Sequence, residues 1–150
     1  MLSKKNPPIR IRLAKRKDAA SIARLSGQLG YPTTTAEMGR RLSLVLCDKH
    51  AACFVAETVQ PEVIGWVHVS VCPLLEVARR VEVNGLVVDE QVRSRGAGWL
   101  LLEAAENWTL KMKCRTISVR SNVVRERAHG FYQKHGYEHY KTQKAFRKSF

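Results

Sequence analysis

Apolar and polar residues alternate over IRIRLA (residues 9–14), as they do along a strand with one buried face. The next segment, AASIARLSGQL (19–29), changes period. Ala19, Ile22, Ala23 and Leu29 fall on one helical face, Asp18 stands where an N-cap belongs, and Gly30-Tyr31-Pro32 stops the run. A second helix is predicted over TAEMGRRLSLVLCDK (35–49), where Thr34 and Glu37 have the spacing of a capping box. Two strands follow, AACFVAETV (51–59) and EVIGWVHVSV (62–71), joined by a turn at Gln60-Pro61. Residues 73–78 break the pattern, and RRVEVNGLVV (79–88) resumes it as a longer strand. Gly96 to Met112 reads as a helix with Leu101, Ala104, Ala105, Trp108 and Met112 inward. RTISVRS (115–121) is a strand. RERAHGFYQKHG (125–136) is a short helix with Ala128, Phe131, Tyr132 and His135 on one side, closed by Gly136. YEHYKT and KAFRKS, within residues 137–149, are predicted as two last strands.

The predicted order is β-α-α-β-β-β-α-β-α-β-β, an α/β chain with about seven strands and four helices in one domain. The strand–helix–strand crossover in its middle requires at least one parallel pair within a mixed sheet.

The length, 150 residues, suits one core. There is no run of 18 consecutive apolar residues, so no membrane span is expected. The charged start lacks the apolar centre of a secretory signal. Cys47, Cys53, Cys72 and Cys114 have neither C-x-x-C nor metal spacing, so they are expected as reduced thiols of a cytoplasmic protein without a metal. The formal charge of +13, from 26 Lys and Arg against 13 Asp and Glu, favours a polyanionic partner. The cations are spread along the chain, which argues against a dedicated nucleic-acid arm.

One stretch raises a chemical question. Gly96 and Gly98 stand at the mouth of a helix, where each glycine costs about 1 kcal/mol relative to alanine. A P-loop would need Lys and Ser or Thr after the last glycine, but Trp99-Leu100 follow. A dinucleotide fingerprint would need a small residue at Leu101 and a later acid, and residues 115–125 hold neither Asp nor Glu. Backbone N–H groups at a helix start, aimed at an anion, require only the glycines. An ordinary tight turn explains them equally well. Asn84-Gly85, inside the preceding strand, marks a bulge or a close backbone approach, and a bulge would separate this strand from its neighbour and expose amides. A ligand with an amide-bearing arm and a pyrophosphate would fit both features, and coenzyme A has that shape.

These residues resemble the GNAT superfamily of acetyl-CoA-dependent N-acetyltransferases. Arg93-Ser94-Arg95-Gly96-Ala97-Gly98 matches the motif Q/R-x-x-G-x-G/A after a strand. Ala128, Phe131, Tyr132, Gly136 and Tyr137 match the family's later A-x-x-(F/L)-Y-x-x-x-G-(F/Y) segment. LGYP and GYEHYKTQKAF carry a weak likeness to aminoglycoside-type members. The resemblance implies a mixed, largely antiparallel sheet and acetyl-CoA as donor. It implies that backbone groups of Leu86, Val87 and Val88 pair with pantetheine. The N–H groups of Arg93, Ser94, Arg95, Gly96, Ala97, Gly98 and Trp99 would hold the pyrophosphate, with Arg93 and Arg95 adding charge. Tyr132 would stand beside the departing sulfur. The family often has Asn seven residues before that tyrosine. Here Arg125 takes the place, and Asn122 is the nearest Asn, so either is a candidate cofactor contact.

Acetyl transfer needs a neutral amine, a polarised carbonyl and a proton for the thiolate. Tyr132, with a reference pKa of about 10, can donate that proton, and it can equally be a core aromatic. In the family this chain resembles, some members carry a catalytic glutamate at the position of Glu82 and others an acid at that of Asn84. Asn cannot accept a proton, so the resemblance makes Glu82, assisted by water, the first choice as general base. It can equally be a strand carboxylate paired with Arg79, Arg80 or another cation, and His68 and Glu76 are substitutes. His129, His135 and His139 read as surface or helix-end residues. The expected acceptor is a primary amine of a small molecule or protein, bound between Tyr31–Glu37 and residues 73–78. A polycationic acceptor would need Glu37, Glu76 and Glu82 to form an acidic pocket against the +13 charge. A homodimer is left open. The alternative is a non-catalytic basic module bound to RNA or ribosome, for which Trp66 is the main exposed-aromatic candidate.

Overall fold

The computed structural model describes residues 8–93 and 95–150. The chain forms two compact units, one ending at Arg120 and one running from Ser121 to Phe150. In the first, β1 (Arg10–Leu13) leads through a 3-10 turn (Arg16–Asp18) into α1 (Ala19–Gln28) and α2 (Thr35–Cys47). Then come β2 (Ala51–Glu57), β3 (Val63–Cys72), β4 (Arg80–Val88), a second 3-10 turn (Glu90–Val92), α3 (Ala97–Lys111) and β5 (Ile117–Val119). The second unit holds α4 (Glu126–Lys134).

The helices begin and end for local reasons. The Thr34 hydroxyl accepts from the Glu37 N–H at 3.1 Å, and the Glu37 carboxylate accepts from the Thr34 N–H at 3.3 Å, so the capping box is formed. Gly30, at φ +96°, ends α1 in the left-handed region that glycine enters cheaply. Asp18 precedes α1 as expected, but its side chain makes no cap bond there. It accepts instead from both Arg12 terminal nitrogens, at 2.8 and 2.9 Å, and from the Lys15 N–H. Arg12 reaches Glu57 as well, so β1, β2 and the first turn are tied together by one guanidinium.

The sheet order is β1-β2-β3-β4-β5; the first three pairings are antiparallel and β4–β5 is parallel. One face packs under α1 and α2 through Ile22, Leu25, Leu42, Val55, Trp66 and Val87. The other face meets α3: a Cβ on Gly65 would sit 3.1 Å from Leu101. The buried stripe of α3 is Ala97, Leu101, Leu102, Ala105 and Thr109. Ala104, Trp108 and Met112, expected inward, are only half-buried at its margin.

The element order matches the expected one through α4. The two strands expected within residues 137–149 do not form; residues 137–150 have no regular structure. The sheet therefore has five strands rather than seven. Tyr140, Phe146 and Phe150 have high strand propensity, but propensity makes a strand only where an edge receives it. Among the described residues, no helix is long and apolar enough to cross a membrane.

Candidate active site

A bulge interrupts β4 at the predicted place. His68 pairs with Gly85 and Val69 with Val83, so Asn84 is the extra residue. The parallel ladder to β5 covers Val81 to Val83 and stops there. Beyond the bulge, the rest of β4 has no ladder partner on its β5 side among the described residues. The bulge also shifts the alternation. Glu82 pairs with Ser70, and Asn84 donates to the Ser70 hydroxyl at 2.7 Å, so both share the α1/α2 face. Leu86, which plain two-residue alternation from Glu82 and Asn84 would put on that face, pairs with Val67 and points the other way. Gly85 is required by its neighbour, because a Cβ there would lie 2.8 Å from the six-membered ring of Trp66.

The strand runs into the glycine turn. Asp89 extends the pairing by donating its N–H to the Ile64 carbonyl at 2.8 Å, and its carboxylate caps the 3-10 turn through the Gln91 N–H. Arg93 bends back so that its Nε lies 3.4 Å from the Val88 carbonyl. Gly96 is the N-cap of α3 at φ +84°, a conformation costly for any residue with a Cβ. A Cβ there would meet nothing within 4 Å among the described residues, which leaves room beside the turn. Gly96 has no side chain with which to cap α3. Ala97 is buried, Gly98 and Trp99 follow in the first turn, Arg95 is exposed, and Ser94 lies outside the described residues. A helix start whose N-cap is a glycine, with room beside it among the described residues, fits an anionic group.

Glu82 is buried, and both oxygens are engaged: one accepts from the Ser118 hydroxyl at 2.9 Å, the other from Arg120 Nε at 2.7 Å. Arg80 lies 3.8 Å away. His68, half-buried opposite Gly85 and Cys53, is pushed below its ordinary value by burial. Burial pushes the Cys53 thiol up to about 12, so both neighbours are neutral at pH 7. Glu37 serves the helix cap, where the Thr33 hydroxyl and the Thr34 N–H hold its carboxyl below the usual range. Glu76 is exposed in the 73–78 segment. The acids that a polycation would need are thus committed or apart.

In the second unit, Asn122 accepts from the Val124 N–H with its side chain and from the Arg125 N–H with its carbonyl. Arg125 is the N-cap of α4. The half-buried face of α4 carries Ala128, Phe131, Tyr132 and His135, as its spacing predicts. Burial pushes the Tyr132 hydroxyl up to about 12, with Arg125 pulling the other way.

Sequence reasoning missed Arg24, Gln28 and Asp89, which join α1 to the turn, and Ser118 and Arg120, which hold Glu82. The spacing of Arg24 and Gln28, four apart on one helix face, was the available signal. Trp66, expected as an exposed aromatic, is buried at 8%.

Residues 20–137 match the acetyltransferase (GNAT) family, and the chain belongs to it. No curated protein matches the chain significantly. Solved structures share the fold at low identity. The aminoglycoside 6'-N-acetyltransferase AAC(6')-Ih of Acinetobacter baumannii superposes with a TM-score of 0.84 at 14% identity, over 95% of this chain and 99% of that one. The aminoglycoside N-acetyltransferase AAC(6')-Iy, in complex with CoA, gives 0.85 at 20% identity over 98% and 99%. A protein of Bacillus halodurans described as a transcriptional regulator gives 0.80 at 21% identity over 93% and 100%. None of these likenesses supports the RNA-binding alternative.

Proposed function

We propose that this protein transfers an acetyl group from acetyl-CoA to an amine. The bulge at Asn84 carries the reading, because it ends the β5 pairing and leaves the amides of β4 facing an open edge that leads to the turn at Gly96. Leu86, Val87 and Val88 would pair with the pantetheine arm through their backbones. The N–H groups of residues 93–99, with the Arg93 and Arg95 side chains, would hold the pyrophosphate. Asn122 or Arg125 would add a further contact. Acetyl-CoA supplies the activated thioester carbonyl. A backbone N–H beside the bulge would polarise that carbonyl. Tyr132, pushed up to about 12, is protonated at pH 7 and has a proton to give the thiolate.

Two groups compete for the amine proton. A proton reaching Glu82 must displace Ser118 or Arg120, or arrive through water. His68 is neutral at pH 7 and has a ring nitrogen to offer. We put His68 first and Glu82, acting through water, second. Contacts of α1 support an acceptor site over this face. Arg24 reaches Asp89 at one end of β4, and Leu29 lies near Gly85 at the bulge. Tyr31 follows the Gly30 turn and is bonded back to Ser26, at the end of α1 that lies by the bulge. The two aminoglycoside enzymes favour an amine of a small molecule; the +13 charge and the committed acids favour one with few positive charges. Calorimetry with acetyl-CoA, then an amine screen by thiol release, tests the reading. Absence of acetyl-CoA binding would refute it.

A further inference from the structure

Asp89 is buried at 6%, yet it is an acid in a connection of only eight residues between β4 and α3. Its carboxylate is fully occupied. One oxygen accepts from Arg24 Nη1 at 2.8 Å; the other accepts from the Gln91 N–H at 3.1 Å and from Gln28 Nε2 at 3.4 Å. Gln28 closes the loop by accepting the Glu90 N–H at 3.0 Å, and Arg24 also donates to the Val63 carbonyl at 3.3 Å. One face of α1 thus holds the carbonyl of Val63 in β3, the side chain of Asp89 and the backbone of Glu90 together. Burial alone would raise the Asp89 carboxyl, but the donors from Arg24, Gln91 and Gln28 outweigh it and hold it below the usual range.

A strand and a helix can be joined by many eight-residue paths. An anion site made of backbone N–H groups works only if those groups converge before the ligand arrives. The far end of this connection is fixed by buried Ala97. The near end is fixed by Asp89. We propose that Arg24, Gln28 and Asp89 are positioning residues that preorganise the backbone of Arg93 and of residues 95–99 for the pyrophosphate of CoA; this rests on the cofactor reading above. They touch no reacting atom, so they set donor affinity and leave the chemistry of the acetyl group alone.

The test is calorimetric titration of the full chain with CoA at 20 °C, beside urea unfolding of each unliganded variant. Arg24→Met should weaken CoA binding about tenfold, and Arg24→Lys, which keeps a donor and a charge, should recover most of that loss. Gln28→Ala removes one half-buried side chain and its two bonds to Asp89 and Glu90. It should weaken CoA about threefold while the unfolding midpoint hardly moves. Asp89→Asn should weaken CoA at least tenfold. A merely structural role gives the opposite pattern: lower midpoints with CoA affinity within twofold of the wild type in every folded variant. That pattern overturns the proposal. Wild-type protein that does not bind CoA is a different result and overturns the cofactor reading itself, with the clamp's role beside it.

Discussion

Gly85→Ala places the largest test on the smallest atom. The added Cβ would lie 2.8 Å from two carbons of the Trp66 ring, whereas ordinary contact begins at 3.4 Å, so ring or strand must give by about 0.6 Å. Trp66 is packed among Leu25, Leu42, Val55 and Val87 and has little room to retreat. Overpacking of this size costs about 1–3 kcal/mol. Alanine's smaller unfolded-state entropy returns roughly 0.4–1 kcal/mol. The net, about 1–2 kcal/mol, should lower Tm by roughly 2–8 °C in a chain of this size. CoA affinity should fall several-fold, because Gly85 adjoins the bulge residue and any retreat of the strand moves the open edge. A double-mutant cycle isolates the contact. Trp66→Phe shrinks the ring and removes an indole N–H that has no partner among the described residues, so no hydrogen bond is lost. The double variant, Trp66→Phe with Gly85→Ala, should be less destabilised than the two single changes predict, by about 1 kcal/mol in urea unfolding. Additivity within about 0.5 kcal/mol would show that Gly85 is not there for Trp66, and would refute the argument.

Gly96→Ala puts a side chain at φ +84° at a cost of about 1–2 kcal/mol, and points a Cβ into the open space beside the turn; calorimetry should show CoA binding weakened more than tenfold. Tyr132→Phe should lower turnover roughly 10²–10⁴-fold, with Tm and acetyl-CoA affinity hardly changed; near-normal turnover with reduced Tm would leave it a packing residue. His68 has a folded value below the unfolded value of about 6.5. Its contribution to stability is therefore whole above about pH 6.5 and is lost as pH falls from there toward the folded value. Urea midpoints at pH 7 and 5.5 should differ more for wild type than for His68→Gln, and equal differences would contradict the assignment.

Much of this site was legible because it is local. Asn84-Gly85 inside an apolar strand marks a bulge or a close approach, and Gly96 and Gly98 before an apolar helix mark a tight turn or an anion site, whatever else the chain does. Thr34 and Glu37 announced their cap for the same reason. What failed depends on partners distant in sequence. Tyr and Phe in the tail have strand chemistry, but no local signal says whether an edge receives them. Asp18 looks like a cap until Arg12 comes within 2.8 Å. Leu86 left its expected face because the bulge residue counts one step in the ladder without a partner. Asp89 gave no sign of its role, since Arg24 and Gln28 lie more than 60 positions away.

Hydrogen–deuterium exchange with and without CoA tests the central claim most directly, because the claim concerns particular backbone N–H groups. Saturating CoA should protect peptides covering residues 84–99 more than any other part of the first unit, with the start of α3 slowed most. Protection that spares 84–99, or none at all, would contradict the assignment of this bulge and turn as the cofactor site.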